Sequence, residues 1–408
     1  MIRVSVNKGY NGGEQMTITK CGRLVLLSLC LLVMGPLVAS TEETVDTWRS
    51  LYNRSKTIDQ RQEVVRRMIE QDDEALAPVL IEILEELVAQ RKILSPKDRI
   101  IIDDMKRLII QELGELGANE AAALVYRVVE ESENAIVRRE ALIALGKMGA
   151  RAYGPRIATI LENLNNTRGS NPADEEKIAY GCIIALELLE APSGYKPVFR
   201  ALSAGYSQMI VQTAERALNR ILEDPTPMLR ELITVESEPV AKVMALEQAF
   251  GSNAPERSKV EIAILGLREG LTIDPKNMVE RTVFRELRKR ALEILSLLEH
   301  KDVRAVEYIE EVLNLDTDDQ EKLLALDALR TMPFEESVET LVGFLTRQNN
   351  RRAEGMRVEK ERIIIGVIRT LADLGDRAAY EEILRTKFVG YSHDVSRAAD
   401  AALEKLRS

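Results

Sequence analysis

Few side chains in this chain are of the kinds that do covalent or metal chemistry. Its 408 residues hold two histidines, His300 and His393, and three cysteines, Cys21, Cys30 and Cys182. A nucleophile relay needs a base within hydrogen-bond reach of a serine or cysteine, and a structural zinc site needs about four clustered Cys or His ligands. The two histidines stand almost a hundred residues apart in sequence. Neither arrangement is supported, and no catalytic, metal or cofactor residue is assigned. The run Asp316-Thr317-Asp318-Asp319 opens like a calcium loop, but its sixth position is Glu321 where glycine is needed, and its twelfth is Asp327. It reads instead as the start of a helix, where negative charge is favourable. No glycine-rich phosphate loop of either common spacing occurs.

Charge offers more. Arg281, Arg285, Arg288, Lys289 and Arg290 form a basic stretch, which helical spacing spreads over several faces while Glu280, Glu286 and Glu293 interleave. Arg347, Arg351, Arg352 and Arg357 are the stronger candidates for contact with an acidic partner or anionic lipid. The whole chain carries a net charge of -10, which argues against nucleic acid as a partner, because phosphate binding requires a positive face.

The elements that position these residues repeat. An apolar phrase recurs about every 36 residues, as Ala144-Leu145-Gly146-Lys147-Met148-Gly149 and again as Thr370-Leu371-Ala372-Asp373-Leu374-Gly375. Its leucine anchors are Leu113, Leu145, Leu186, Leu218, a poorer copy at Leu246, then Leu295, Leu329, Leu371 and Leu403. Such a period means stacked units, each unable to bury its apolar face alone. Aromatic residues make up only 4%, so the interior is aliphatic and strand formers are scarce. Between Thr282 and Glu299 the apolar positions Phe284, Leu287, Ala291, Ile294, Leu295 and Leu298 recur mostly at steps of three and four, which predicts an amphipathic helix. Each unit reads as two helices. Helix A ends at the anchor, where Gly117, Gly149, Gly251 and Gly375 are placed for a left-handed stop. Helix B follows, as at Tyr153 to Leu164, Glu336 to Arg347 and Arg377 to Lys387.

The phrase Ala141-Leu142-Ile143-Ala144-Leu145-Gly146-Lys147-Met148-Gly149, with a second amphipathic helix behind it, resembles a HEAT repeat of the short bacterial type, also called phycobilisome-lyase-like. The resemblance covers residues 58–408. It implies an all-α, right-handed α-solenoid of antiparallel helix pairs, armadillo-like, whose B helices line a concave groove that binds proteins. Nine or ten pairs are expected. Glu190 departs from the pattern where glycine is usual, and the copies at Leu218 and Leu295 also lack it, so those turns are expected to be looser or differently capped.

Spacing is uneven in an organised way. Leu145 to Leu186 is 41 residues and Leu329 to Leu371 is 42. The extra residues are Asn165 to Glu175 and Gln348 to Glu359, and a third insertion runs from Gly270 to Asn277. All three join a B helix to the next A helix, so they are expected to project from one edge. Candidate partner-binding residues are therefore Glu336, Glu339, Thr340 and Arg347 on an exposed B-helix face, with Arg351, Arg352 and Arg357 on the insertion.

The N-terminus points to export from a bacterial cytoplasm. Lys20 and Arg23 precede the apolar run Leu24 to Met34, and Val38-Ala39-Ser40 offers small residues for cleavage. Residues 1–40 read as a signal peptide, with Met16 as the expected true start. The run is shorter than the 18 or so apolar residues that a membrane span needs. Residues 41–57, with Trp48 and Tyr52, form a segment ahead of the solenoid, either an extra helix or a free docking arm. The expected function is a non-enzymatic periplasmic scaffold that binds another protein through its concave face or insertion edge. The alternatives are a membrane-anchored structural protein held by an uncleaved N-terminus, and a subunit of an enzyme complex.

Overall fold

The computed structural model describes residues 39–408, apart from 91–94, 168, 170, 237, 273 and 408. The export segment and its cysteines thus lie outside the described residues, except for Ala39 and Ser40, which begin the first helix. Among the described residues there are twenty α-helices, a few single 3₁₀ turns and no strand.

The chain divides into two compact units, one up to Ala144 and one from Leu145. The first holds α1 (Ala39–Arg54), α2 (Ile58–Ile69), α3 (Ala77–Ala89), α4 (Pro96–Glu115), α5 (Ala122–Glu131) and most of α6 (Ala135–Lys147). Helix α1 packs on α2 and α3, so the segment carrying Trp48 and Tyr52 is an extra helix. Tyr52 is buried, and the Arg61 guanidinium stacks over its ring at 5.0 Å.

The second unit holds α7 (Gly154–Asn166), α8 (Pro172–Leu188), α9 (Tyr195–Ala201), α10 (Gln208–Ile221), α11 (Thr226–Val235), α12 (Pro239–Gly251) and α13 (Glu256–Thr272). It continues with α14 (Met278–Leu297), α15 (Arg304–Asn314), α16 (Asp319–Arg330), α17 (Glu335–Ala353), α18 (Glu361–Leu374), α19 (Tyr380–Thr386) and α20 (His393–Arg407). Even-numbered helices from α8 onward are A helices, and α12, α14, α16, α18 and α20 pack in a row. Odd-numbered B helices α11, α13, α15, α17 and α19 form a second row, and each also packs on the A helix that follows it. Two helical layers sharing one aliphatic interior make this an α-solenoid.

The anchor leucines lie in that interior. Leu113, Leu145, Leu186, Leu218, Leu329 and Leu371 are fully buried. Several of their carbonyls also close the A helices. Leu113, Leu145 and Leu186 accept from the N–H groups of Ala118, Ala150 and Ala191 at 3.0, 3.1 and 3.1 Å. The residue before each donor is left-handed: Gly117 (φ 64°), Gly149 (φ 66°) and Glu190 (φ 47°). Hence the turn at Leu186 is neither looser nor differently capped. Glutamate takes the glycine conformation there, at a cost of about 1–2 kcal/mol for the crowded Cβ. At Leu295 the substitute is a side chain: the Lys301 ammonium donates to the Leu295 carbonyl at 2.9 Å. Burial lowers the pKa of that ammonium, and Glu256 works the other way. Gly251, expected to be left-handed, is instead the last residue of α12, and the Ser252 hydroxyl donates to the Ala249 carbonyl at 2.8 Å.

Cys182 lies in α8 with no solvent exposure. His300 lies between α14 and α15, and His393 opens α20, so they belong to different repeats.

Candidate functional site

The insertions all connect a B helix to the following A helix, at α7–α8, α13–α14 and α17–α18. They are less loop-like than their spacing predicts. The helix expected to end at Arg347 continues to Ala353, because the polar residues read as loop find partners in the interior. Asn349 is fully buried and donates to the Glu382 carboxylate at 2.7 Å and to Thr386 Oγ1 at 3.2 Å. Gln348, also buried, accepts from the Glu359 N–H at 2.9 Å. Likewise α13 absorbs Gly270 to Thr272, and α7 absorbs Asn165 and Asn166.

What remains of the α17–α18 connection is bolted down. The nearly buried Lys322 of α16 reaches Glu359 at 2.5 Å. Asp319 receives Lys360 at 2.9 Å and Arg362. The Met356 N–H donates to the Arg351 carbonyl at 2.8 Å, past left-handed Gly355. Arg352 donates to the Gly390 carbonyl at 2.6 Å and stacks over the Tyr391 ring at 5.3 Å. Burial pushes the Tyr391 hydroxyl up to about 12, while Arg352 pulls the other way.

One repeat earlier the same edge is pinned by the basic stretch. Arg288 pairs with the wholly buried Glu321 at 2.5 Å and donates to the Gly270 carbonyl at 2.8 Å. Arg285 and Lys289 both meet Asp318, at 3.0 and 3.1 Å, and Arg290 meets Glu247 at 2.7 Å. Asp318 caps α16 by accepting from the Glu321 N–H at 2.9 Å, as the helix-start reading of the acidic run expects. Burial favours its neutral acid, but the Glu321 N–H, Arg285 and Lys289 outweigh that and hold it down at about 2. The basic stretch, apart from the exposed Arg281, is thus consumed in joining α14 to its neighbours.

The sequence candidates separate accordingly. Arg347, on α17, is held by Asn314 at 3.1 Å and Glu310 at 3.5 Å. Arg351 is exposed in the last turn of α17, and Arg357 is exposed on the connection itself. Arg347, Arg351 and Glu359 line a cavity of about 390 Å³ with Phe344 at its base. Arg352 is a strut between two turns. Glu336 and Glu339 are exposed on the first turns of α17, whereas Thr340 is only 9% exposed and faces the interior. Thr340 therefore packs the fold and does not present itself to a partner.

Two surface features were not found from sequence. The first is the distribution of exposed large apolar side chains. Among the described residues of the second unit there are ten, and seven lie where a B helix gives way to an A helix. They are Met209, Val235, Val240, Met278, Val279, Met356 and Phe388, the last 78% exposed. Only Leu188, Leu297 and Val303 lie at the opposite edge. A cavity of about 510 Å³ opens beside one of the seven, Met278, and is lined also by Arg281 and Thr272.

The second is a groove of about 390 Å³ across three successive B helices. Each helix contributes a pair at i,i+4 spacing, the spacing that brings side chains onto one face. The pairs are Arg230 and Thr234 on α11, Glu261 and Leu265 on α13, and Arg304 and Tyr308 on α15. A motif search overlooks such a site, because its members are scattered through three repeats.

A family model described as the PBS lyase HEAT-like repeat matches residues 137–163, which are α6 and α7. The match spans one helix pair, and the described helices of the second unit repeat such pairs, which is consistent with a HEAT-repeat α-solenoid. No curated protein matches it. HEAT-like repeats are interaction scaffolds in general, and the PBS lyase repeats are named for a lyase family. No group of His, Cys, Asp or Glu suited to a metal ion occurs among the described residues. No described helix is long and apolar enough to cross a membrane.

Proposed function

We propose that this protein is a non-enzymatic, exported scaffold that holds a partner protein along the edge where B helices give way to A helices in the second unit. The concentration of exposed Met, Val and Phe at that edge carries the reading. Exposed apolar side chains scattered singly are ordinary on a monomer, but their gathering along one edge favours an interaction site there. Arg351 and Arg357 lie on the same edge and would add charge-assisted contacts to carboxylates of the partner. The buried pairs behind the edge keep its turns in place before binding, which limits the ordering cost of association. The separation of His300 from His393 and the burial of Cys182 favour binding over catalysis.

A photocrosslinking amino acid placed at Met278, Met356 or Phe388, and in parallel at Leu188 or Leu297, tests this in the native cell. One discrete adduct from the first set and none from the second supports the reading. Equal labelling from both edges overturns it. Export is tested separately: a mature N-terminus near Ser40 in the periplasmic fraction supports it, and an uncleaved chain in the membrane fraction favours the anchored alternative.

A further inference from the structure

The cavity beside the α17–α18 connection is lined by amides whose oxygens already hold partners. They are Asn314, Gln348 and Asn350. Asn314 Oδ1 accepts from Arg347 at 3.1 Å, Gln348 Oε1 from the Glu359 N–H at 2.9 Å, and Asn350 Oδ1 from Arg385 at 2.5 Å. A bond on the oxygen fixes which end of an amide is which and leaves its NH2 group to donate. None of the three nitrogens has an acceptor among the described residues. Gln348 is 6% exposed, yet its Nε2 is not sealed in the interior, so that donor opens on the cavity.

Charge points the same way. Arg347 is held by Asn314 and, at 3.5 Å, by Glu310, but Arg351 meets no carboxylate among the described residues. Nor does Arg357 on the connection, and Arg352 is spent on the neutral Gly390 carbonyl. The one carboxylate in the lining, Glu359, already pairs with Lys322 at 2.5 Å. The free charge at the cavity is therefore a single guanidinium. Opposite it, Leu313 and Asn314 end α15, where helix carbonyls carry partial negative charge.

We infer that this cavity receives the carboxylate of a Glu or Asp side chain from the partner protein. A carboxylate only accepts, so it meets the unspent amide hydrogens and the planar Arg351 fork together. Its one charge matches the one free guanidinium, whereas a phosphate dianion would be opposed by the end of α15. Met356, whose N–H donates to the Arg351 carbonyl, is exposed beside it and offers an apolar contact to the residue next to the acidic one. Along the edge the cavity falls between Met278 and Phe388, so a segment that covers both passes over it and does not end there. The inference rests on the scaffold reading and deepens it by giving the partner a chemistry.

The test titrates the full mature chain with acetyl-Gly-Leu-Glu-Leu-Gly-amide in an isothermal calorimeter. Two control peptides carry Gln for Glu, one amidated and one with a free C-terminal carboxylate. The Glu peptide is expected to bind, to weaken as salt rises, and to exceed both controls by about tenfold. Arg351→Gln is expected to cost about tenfold in affinity by removing the charged fork. Its side chain has no partner in the fold, so the melting temperature should stay put and the lost affinity reads the site. Arg377→Gln, at an exposed arginine of a later turn, is expected to leave binding unchanged. No binding of the Glu peptide, equal binding of either control, tighter binding of inorganic phosphate, or indifference to Arg351→Gln would each overturn the inference. Such a failure leaves the scaffold reading to the crosslinking pattern at Met278 and Phe388, which does not depend on Arg351.

Discussion

The two edges of the second unit connect the same kinds of helix with a different balance of backbone and side-chain ties. Where A turns into B, the turns after Leu186 and Leu371 close on the backbone, with a left-handed residue (Glu190 or Gly375) and the carbonyl of the buried leucine, whereas the turn after Leu295 borrows the Lys301 side chain. Where B turns into A, left-handed Gly205, Gly355 and Gly390 occur as well, but side chains add further ties, through Arg288 with Glu321, Lys322 with Glu359, and Arg352 with the Gly390 carbonyl. A backbone device tolerates almost any neighbouring sequence. A side-chain device is specific to its position, so the lengths and exposed residues of that edge are free to differ from repeat to repeat. Variety in length and in exposed side chains accumulates on the edge that particular ion pairs hold in place.

The contrast can be broken from either side. The largest effect is expected from Arg288→Ala, which strands the buried Glu321 carboxylate; removing one partner of a buried pair costs about 3–5 kcal/mol. Urea unfolding measures it, and a loss below about 1 kcal/mol would mean that the pair is dispensable. Leu371→Ala removes a buried anchor and is expected to cost about 2–5 kcal/mol in the same assay. Gly149→Ala forces a Cβ into the left-handed turn, for about 1–2 kcal/mol. Its mirror image, Glu190→Gly, should stabilise by up to about 1 kcal/mol, since the exposed 3.8 Å contact of Glu190 with Arg151 contributes little. If Glu190→Gly destabilises instead, the backbone account of that edge fails.

Acid should act on the side-chain edge first. Asp318 has its folded pKa depressed to about 2, so its contribution is fully present above the unfolded carboxylate value of about 3.9. That contribution is lost as pH falls from about 4 toward about 2. Asp318→Asn should flatten the stability profile in that window, and an unchanged profile would show that Asp318 does not set it.

The backbone-built edge was legible in sequence because one phrase recurred, and recurrence exposed both the leucine anchors and the helix pairs. It misled where residue type and conformation part company: Gly251 is not left-handed, and Glu190 is. The other edge was legible only as extra length. Gln348 and Asn349 look like loop residues, and their burial depends on Glu359, Glu382 and Thr386 from later repeats. Thr340 read as exposed because a single helix period cannot say which neighbouring helix covers it. The Arg-walled groove left no local signal at all beyond three separate i,i+4 pairs.

The burial of Cys182 makes that thiol a clock. Sealed in the middle of α8, it reacts with a thiol reagent only when that helix parts from its neighbours. The rate of labelling therefore times the breathing of one repeat while the others stay closed, with no engineered probe. A partner that clamps this part of the stack would slow the clock, and one that docks elsewhere would leave it running.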